Sequence, residues 1–276
     1  YLKGKKWEGK GYNILNNFIY ELQGGQGLIK EYQKGELKFE GDYSNGERNG
    51  KGKELGLNGE LIFEGEYLNN LRNGKGKEYH DNGKLKFEGE FLNELRNGKG
   101  KEYFNYILKY EGKYLKGKKN GKGKEFYDNG ELRYEGEYFN DKRNGKGKEY
   151  LDNGILKYEG EYLDDKRNGK GKEYNDEGIL EYEGNYLNGL KNGRGKEYHL
   201  HNGKIMFSGE YLNGKRNGNG KEFYNDGKLL FEGVYLNGLR NGKGKIYHPL
   251  TGKCEYEIEY LNGKEIHKIQ PNDSKC

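Results

Sequence analysis

The chain has 276 residues, of which 34% are charged and 31% hydrophobic, and it contains 49 glycines but only two prolines. This composition is close to that of disordered proteins, but disordered segments are poor in aromatic residues, whereas here 27 tyrosines and 11 phenylalanines recur at fixed intervals. The net charge of +5 is small, and nearly every lysine has a glutamate close by, which argues against a nucleic-acid partner.

The N-terminal segment differs from the rest of the chain. Residues 1–31 contain the single tryptophan, Trp7, and the stretch NILNNFIYELQ, which is richer in Ile, Leu and Phe than any later segment. We predict that these residues form a divergent capping repeat. Because the chain begins with Tyr1, inside what resembles a truncated repeat, we expect it to be a fragment or a processed form.

Residues 32–245 form a tandem repeat of about 24 residues. Each copy contains Phe/Tyr-Glu-Gly, with Ser208 replacing Glu once, and then Asn-Gly-x-Gly. Both changes in repeat length fall where other copies read Asp-Asn-Gly: 104–106 shorten this stretch and 199–203 lengthen it. Because length variation collects in loops, this stretch is predicted to be a surface turn.

Each repeat is predicted to be a β-hairpin. Asn82-Gly83 between alternating runs indicates a type I′ turn, and glycine every few residues disfavours helix. This turn predicts three pairs on one face, Lys77 with Glu88, Lys75 with Glu90 and Tyr79 with Lys86. On the other face it pairs Gly76 with Gly89, Gly74 with Phe91 and Glu78 with Phe87. One face is therefore predicted to be charged and solvated, and the other to carry glycines and aromatic rings.

Glycines on the second face are predicted to be sockets on which rings lie flat. They are Gly65, Gly76, Gly89, Gly100, Gly112, Gly123, Gly136, Gly147, Gly160, Gly171 and Gly184. The same face is predicted to form a partner-binding groove lined by Tyr43, Tyr67, Phe91, Tyr114, Tyr138, Tyr162, Tyr186, Tyr211 and Tyr235, with Glu78, Glu102, Glu125, Glu149, Glu173 and Glu197. These glutamates either accept hydrogen bonds from tyrosine hydroxyls or turn amides, or make the groove acidic and selective for basic or amphipathic peptides.

The predicted fold is all-β: an elongated, single-layer antiparallel meander of about ten consecutive hairpins, forming a twisted rod with about 10 Å per repeat. Residues 246–267 are predicted to be a degenerate C-terminal capping repeat, because Ile258 replaces the socket glycine and Ile246 the recurrent glutamate. Residues 268–276 are predicted to be a solvated tail.

No constellation for catalysis or cofactor binding is found, so we expect neither an enzyme nor a cofactor. His199, His201, His248 and Cys254 lack the spacing of a zinc site, and no metal is expected. Two cysteines, Cys254 and Cys276, make no disulfide framework and suggest a reducing compartment.

The stretches YEGEYFNDKRNGKGKEY (134–150) and YEGEYLDDKRNGKGKEY (158–174) resemble the MORN repeat, with Tyr-Glu-Gly-x-aromatic, a polar turn, Gly-x-Gly and an aromatic residue. The resemblance covers about residues 32–263. The DNGKLK insert is similar to that of YwqK-type bacterial antitoxin repeats, although this chain lacks their usual tryptophan after the glycine-rich turn.

This resemblance implies a non-catalytic scaffold that binds a partner peptide or helix, or another copy of itself, along the groove. One alternative is a membrane-surface adaptor that binds anionic phospholipids through Lys113, Lys116, Lys118, Lys119, Lys122 and Lys124. Another is an antitoxin-like binding module. We expect a cytoplasmic location, in association with the cytoskeleton or a membrane.

Overall fold

The computed structural model describes residues 5, 7–12 and 18–269. The described residues form 23 strands and no helix, so the predicted all-β fold is confirmed. Residues 13–17 of the expected N-terminal insertion and 270–276 of the expected tail lie outside the described residues.

The chain divides into two compact units, Tyr1–Leu132 with Tyr138–Asp141, and Arg133–Glu137 with Lys142–Cys276. The strands of the first unit are β1 (Gly9–Tyr12), β2 (Phe18–Leu22), β3 (Gly27–Gln33), β4 (Glu36–Ser44), β5 (Glu47–Leu55), β6 (Leu61–Leu68), β7 (Leu71–Tyr79), β8 (Leu85–Leu92), β9 (Leu95–Phe104), β10 (Ile107–Leu115) and β11 (Lys118–Phe126). β12 (Leu132–Phe139) contributes residues to both units.

The strands of the second unit are β13 (Lys142–Tyr150), β14 (Leu156–Leu163), β15 (Lys166–Tyr174), β16 (Leu180–Leu187), β17 (Leu190–Tyr198), β18 (Ile205–Leu212), β19 (Lys215–Phe223), β20 (Leu229–Leu236), β21 (Leu239–Tyr247), β22 (Cys254–Leu261) and β23 (Lys264–Ile269). In each unit consecutive strands pair antiparallel. Each unit is therefore a meander of hairpins, as predicted.

The turn at Asp-Asn-Gly is not of type I′, which corrects the prediction. The His80 amide donates to the Lys84 carbonyl (2.9 Å), the Gly83 amide donates to the His80 carbonyl (2.8 Å), and only Gly83 has a positive φ. A three-residue loop of this kind places a bulge in the strand. Tyr79 consequently pairs with Leu85 and not with Lys86, while the five other predicted pairs are confirmed.

Type I′ geometry is found instead at the second connection of each repeat. Asn93 (φ 48°) and Glu94 (φ 72°) both adopt left-handed backbone conformations between the paired residues Leu92 and Leu95. This two-residue turn matches the right-handed twist of the strands that it joins. The repeat therefore alternates a bulged three-residue loop with a tight two-residue turn.

The shortened repeat has a tight turn at both ends. Asn105 (φ 49°) and Tyr106 (φ 68°) join Phe104 to its partner Ile107. A left-handed conformation costs a residue other than glycine about 1–2 kcal/mol. We therefore expect Tyr106→Gly to raise the free energy of unfolding by about 1 kcal/mol, because relief of strain outweighs the loss of an exposed contact between the Tyr106 ring and Lys84.

Urea titrations followed by circular dichroism measure this change. The reciprocal control is Gly189→Tyr at a tight turn where glycine has φ 89° and open space beside it. It should lower stability by a similar amount. A destabilised Tyr106→Gly variant would show that the tyrosine contributes more by contact than it costs in backbone strain.

The core is a single layer of rings over paired glycines. The phenylalanine or tyrosine that begins each Phe/Tyr-Glu-Gly motif is fully buried, at 0% exposed. At the ends of the array an aliphatic residue takes the place of a glycine: Ile29 pairs with Gly41, and Ile258 pairs with Gly244. Both isoleucines are buried. Sequence reasoning identified the second of these substitutions and missed the first.

Cys254, at the start of β22, is not a free thiol. The other cysteine of the chain lies outside the described residues.

β23 extends to Ile269, so the first two residues of the expected tail belong to a strand.

Candidate functional site

The predicted groove aromatics are core residues. Each is 2–7% exposed. Most of them pack edge-on between two rings of the fully buried row, and Tyr43, in the first repeat, packs edge-on against Phe39. Tyr162, for example, lies between Tyr134 and Tyr158, with centroid distances of 5.3 and 5.4 Å and interplanar angles of 88° and 83°. Edge-to-face pairs of this kind are worth about 0.5–1.5 kcal/mol beyond the area that they bury. The rings therefore stabilise the array from beneath, and a partner would meet the side chains that cover them.

The predicted socket glycines do lie against rings. Gly160 and Gly171 face each other on β14 and β15, and a Cβ added to Gly171 would lie 2.5 Å from Cζ of Tyr158. The ring nearest each glycine pair is thus the aromatic residue of Phe/Tyr-Glu-Gly itself. The aromatics that the sequence analysis assigned to the groove come after this motif. The same arrangement holds at Gly65 with Gly76, Gly89 with Gly100, Gly112 with Gly123, Gly136 with Gly147, and Gly184 with its partner Gly195.

A row of cations covers the buried rings, and sequence reasoning did not identify it. Each cation comes from the strand that follows the ring and lies 4.0–4.3 Å from its centroid. The row consists of Arg48, Arg72, Arg96, Lys119, Arg143, Arg167, Lys191, Arg216 and Arg240. The available signal was a basic residue directly before Asn-Gly in every repeat.

The recurrent glutamates alternate with these cations. Arg96 lies 2.5 Å from both Glu78 and Glu102, and Lys119 is 3.3 Å from Glu102. In the second unit Arg167 contacts Glu173 (2.6 Å). We call this alternating row the Arg/Glu ladder; its described carboxylates are Glu31, Glu54, Glu78, Glu102, Glu149, Glu173, Glu197 and Glu222. Glu125 has the corresponding position, opposite Tyr110.

Tyrosine hydroxyls also donate to the ladder, as expected for these carboxylates: Tyr186 donates to Glu173 (3.3 Å) and Tyr235 to Glu222 (2.5 Å). Burial disfavours ionisation of both carboxyls, but hydrogen bonds from Arg167 to Glu173 and from Arg240 to Glu222 outweigh it, so both pKa values are lowered. The ladder is therefore charged and internally neutralised at neutral pH.

The ladder should contribute measurably to stability. Arg167→Met keeps an apolar stem over the Tyr158 ring but leaves Glu149 and Glu173 without this cation. We expect the free energy of unfolding to fall by roughly 2 kcal/mol, which lies between the values for exposed and for buried salt bridges. Chemical denaturation measures it. The matched control is Lys172→Met in the exposed pair with Glu159, for which we expect less than about 1 kcal/mol.

The opposite face, which we call the outer face, carries lysine–glutamate pairs and a second set of tyrosines. Tyr103 donates to Glu88 (2.8 Å), and Tyr174 donates to Glu159 (3.0 Å). Burial, followed by the hydrogen bond and the negative charge of these glutamates, raises the pKa of both phenols to about 12.

These shifts predict alkaline sensitivity. A phenol whose folded-state pKa exceeds its ordinary value of 10.0 stabilises the fold fully below that value and loses this contribution as pH rises through the folded-state pKa. We expect the urea midpoint to be steady up to about pH 9 and to fall above about pH 10. Tyrosinate absorbance should rise together with unfolding. Complete phenol ionisation before unfolding would contradict the prediction.

The outer face also exposes a row of apolar side chains beside the tight turns. Leu92 and Leu95, which flank Asn93-Glu94, are each 48% exposed. We call this row the leucine edge; it comprises Leu68, Leu71, Leu92, Leu95, Leu115, Phe139, Leu163, Leu187, Leu190, Leu212, Leu236, Leu239 and Leu261. It is the other repeated surface feature of the array.

The described part of the chain contains no group of three or more His, Cys, Asp and Glu side chains able to hold a metal ion. It also contains no helix that could span a membrane.

Two family models match the chain. The MORN repeat matches residues 39–60, 87–105, 134–155, 158–178, 182–199, 207–228 and 231–249, which make up just over half of the chain, and a MORN repeat variant matches 72–93 and 119–140. MORN repeats are generally interaction modules for proteins or membranes and are generally not enzymes. No curated protein matches this sequence.

Two similar solved structures bear the titles "Crystal Structure of TcdB2-TccC3-Cdc42" and "Crystal Structure of TcdB2-TccC3". They are 10% and 11% identical to this chain, cover 96% and 90% of it, and have TM-scores of 0.23 and 0.22. This chain covers 16% and 17% of their own lengths.

Proposed function

Because the chain belongs to the MORN-repeat family, we propose that it is a non-catalytic scaffold that binds a partner polypeptide along the Arg/Glu ladder. The observation that supports this most strongly is the periodicity of the ladder. A charged surface that repeats along each unit suits an extended ligand better than a small molecule held at one point.

A partner α-helix fits the spacing of the ladder. Two strands per repeat give roughly 9.6 Å, and two turns of α-helix rise about 10.8 Å. A helix along the ladder would therefore place every seventh residue near successive repeats. Its charged side chains could use the hydrogen-bonding capacity that guanidinium and carboxylate groups retain after pairing with each other.

Selection from a displayed library of helical peptides, followed by calorimetric titration at low and high salt, tests this proposal. We expect binders with charged residues at seven-residue spacing and saturable binding that survives salt. Arg96→Gln should weaken binding at least about tenfold, whereas Lys101→Gln on the outer face should not. Binders without this period, or binders indifferent to Arg96→Gln in a folded variant, would refute it.

In the same proposal the partner polypeptide can be a second copy of this chain. Light scattering over a concentration series separates the two occupants. A salt-resistant dimer that Arg96→Gln disrupts would make the chain its own partner, while a monomer leaves the ladder for a foreign helix.

A membrane-surface adaptor is the second candidate, and the leucine edge favours it. Half-exposed leucines such as Leu92 and Leu95 share the outer face with its lysines, a combination suited to anionic headgroups. Flotation with anionic and with neutral phospholipid vesicles tests it. Binding to anionic vesicles that is lost in Leu92→Asn/Leu95→Asn supports the adaptor; no binding rejects it.

A further inference from the structure

The turn at 104–107 differs from the corresponding turns of the neighbouring repeats. Phe104 continues β9 and pairs with Ile107, so that Asn105 and Tyr106 alone make the turn. The neighbouring repeats have the longer Asp-Asn-Gly loop at this edge. As a result two aromatic rings are exposed at this turn, Phe104 at 58% and Tyr106 at 72%, where the neighbouring repeats have Asp-Asn-Gly.

The short turn also leaves a buried nitrogen without a partner. His199 has the position of His80 in a later repeat, and its Nε2 lies 3.3 Å from the carbonyl oxygen of Phe223. Nε2 of His80 is buried and has no hydrogen-bond partner among the described residues. The Phe104 ring stands edge-on to the His80 imidazole, at a centroid distance of 6.4 Å. A buried, unsatisfied ring nitrogen is costly unless a ligand completes it.

These residues surround a notch of about 370 Å³, lined by His80, Asp81, Asn82, Phe104 and Asn105. The adjoining residue Tyr106 holds a left-handed conformation that glycine adopts in several of the other tight turns. Glu94 holds the same conformation in the preceding tight turn, so the feature particular to Tyr106 is its exposed ring. An unsatisfied nitrogen and two exposed rings thus occur together at one point.

We propose that this notch binds a tyrosine side chain of a partner polypeptide. The partner's ring would lie against Phe104, and its hydroxyl would reach Nε2 of His80 once the side chains that cover this nitrogen move aside. A hydroxyl both donates and accepts, so it satisfies either tautomer of the imidazole. A phenylalanine would leave the nitrogen unsatisfied.

This inference rests on the proposed scaffold function and deepens it. A ladder that repeats every 24 residues binds a long partner equally well in several registers. A single side-chain pocket at one turn removes that degeneracy, because only one register places the partner's tyrosine in the notch. The notch would therefore determine where on the array the partner lies.

Titration with N-acetyl-tyrosinamide, followed by NMR of the histidine rings and of the amides of 104–107, tests the notch without a partner. We expect saturable shifts at His80 and these amides, and binding at least about fivefold weaker for N-acetyl-phenylalaninamide. His80→Phe keeps a ring but removes the nitrogen, and it should abolish the preference for tyrosinamide. The matched control, His199→Phe, should leave the titration unchanged.

Absence of saturable shifts at His80, equal binding of the two amides, or an unchanged preference in His80→Phe would overturn the inference. Phe104→Ala, at an exposed position, provides a second test, because removal of the wall should also weaken binding. These outcomes do not depend on the selected helical peptides. If the ladder binds such peptides but the notch does not bind tyrosinamide, only the inference is refuted. If the notch binds tyrosinamide but the ladder binds no peptide, only the scaffold proposal is refuted.

Discussion

Gly147→Val is expected to lower the free energy of unfolding by more than about 3 kcal/mol, at the upper end of what overpacking costs. Gly147 lies on β13 directly opposite Gly160, over the Tyr134 ring. A Cβ at this position would lie 2.5 Å from Cζ of Tyr134. The ring cannot retreat, because it is fully buried and Arg143 lies 4.3 Å above its centroid.

The control is Lys148→Val on the next residue of the same strand. Lys148 is on the outer face and exposed, and valine has a high strand propensity, so we expect a change below about 1 kcal/mol. Because arrays of repeats unfold in parts, native-state hydrogen exchange should accompany the urea titration and localise the loss to strands near β13. Equal effects of both variants would mean that the strand accommodates the valine side chain over the ring and that Gly147 is not a socket.

The repeat period determined most of what sequence could predict about the fold. Paired glycines such as Gly76 and Gly89 fix the register, because a slip of one residue would place Phe87 in solvent. The turn type was wrong because Asn-Gly is compatible with both a type I′ turn and a three-residue loop that ends in left-handed glycine. Only the bulge at Tyr79, which depends on cross-strand geometry, distinguishes the two.

The candidate site was less predictable, for a different reason. The glutamates and rings lie on one face, as alternation along a strand predicts. Arg96 covers Phe87 only because the intervening tight turn returns β9 along β8. The burial of Phe91 and of the corresponding rings in other repeats also depends on these cations. The lack of a partner for Nε2 of His80 could not be predicted either, because it depends on the shortened turn at 104–107 in the next repeat and not on the residues around the histidine in sequence.

Replacement of one fully buried ring should separate the contribution of its hydroxyl from that of its hydrocarbon. Tyr158→Ala is expected to lower the free energy of unfolding by about 3–5 kcal/mol, because the side chain is 0% exposed and lies over the glycine pair Gly160 and Gly171. Tyr158→Phe should change it by less than about 1 kcal/mol. The hydroxyl donates only to the carbonyl of Glu161, at 3.3 Å.

Other repeats carry phenylalanine at this position, as at Phe63 and Phe87, and those rings are equally buried. The socket therefore accepts either ring. Urea titrations of Tyr158→Ala and Tyr158→Phe, with hydrogen exchange on β14 and β15, measure both effects. If Tyr158→Phe cost as much as Tyr158→Ala, the array would be held by its hydroxyl hydrogen bonds. A large loss confined to Tyr158→Ala means that the glycine-seated ring itself is the structural unit of each repeat.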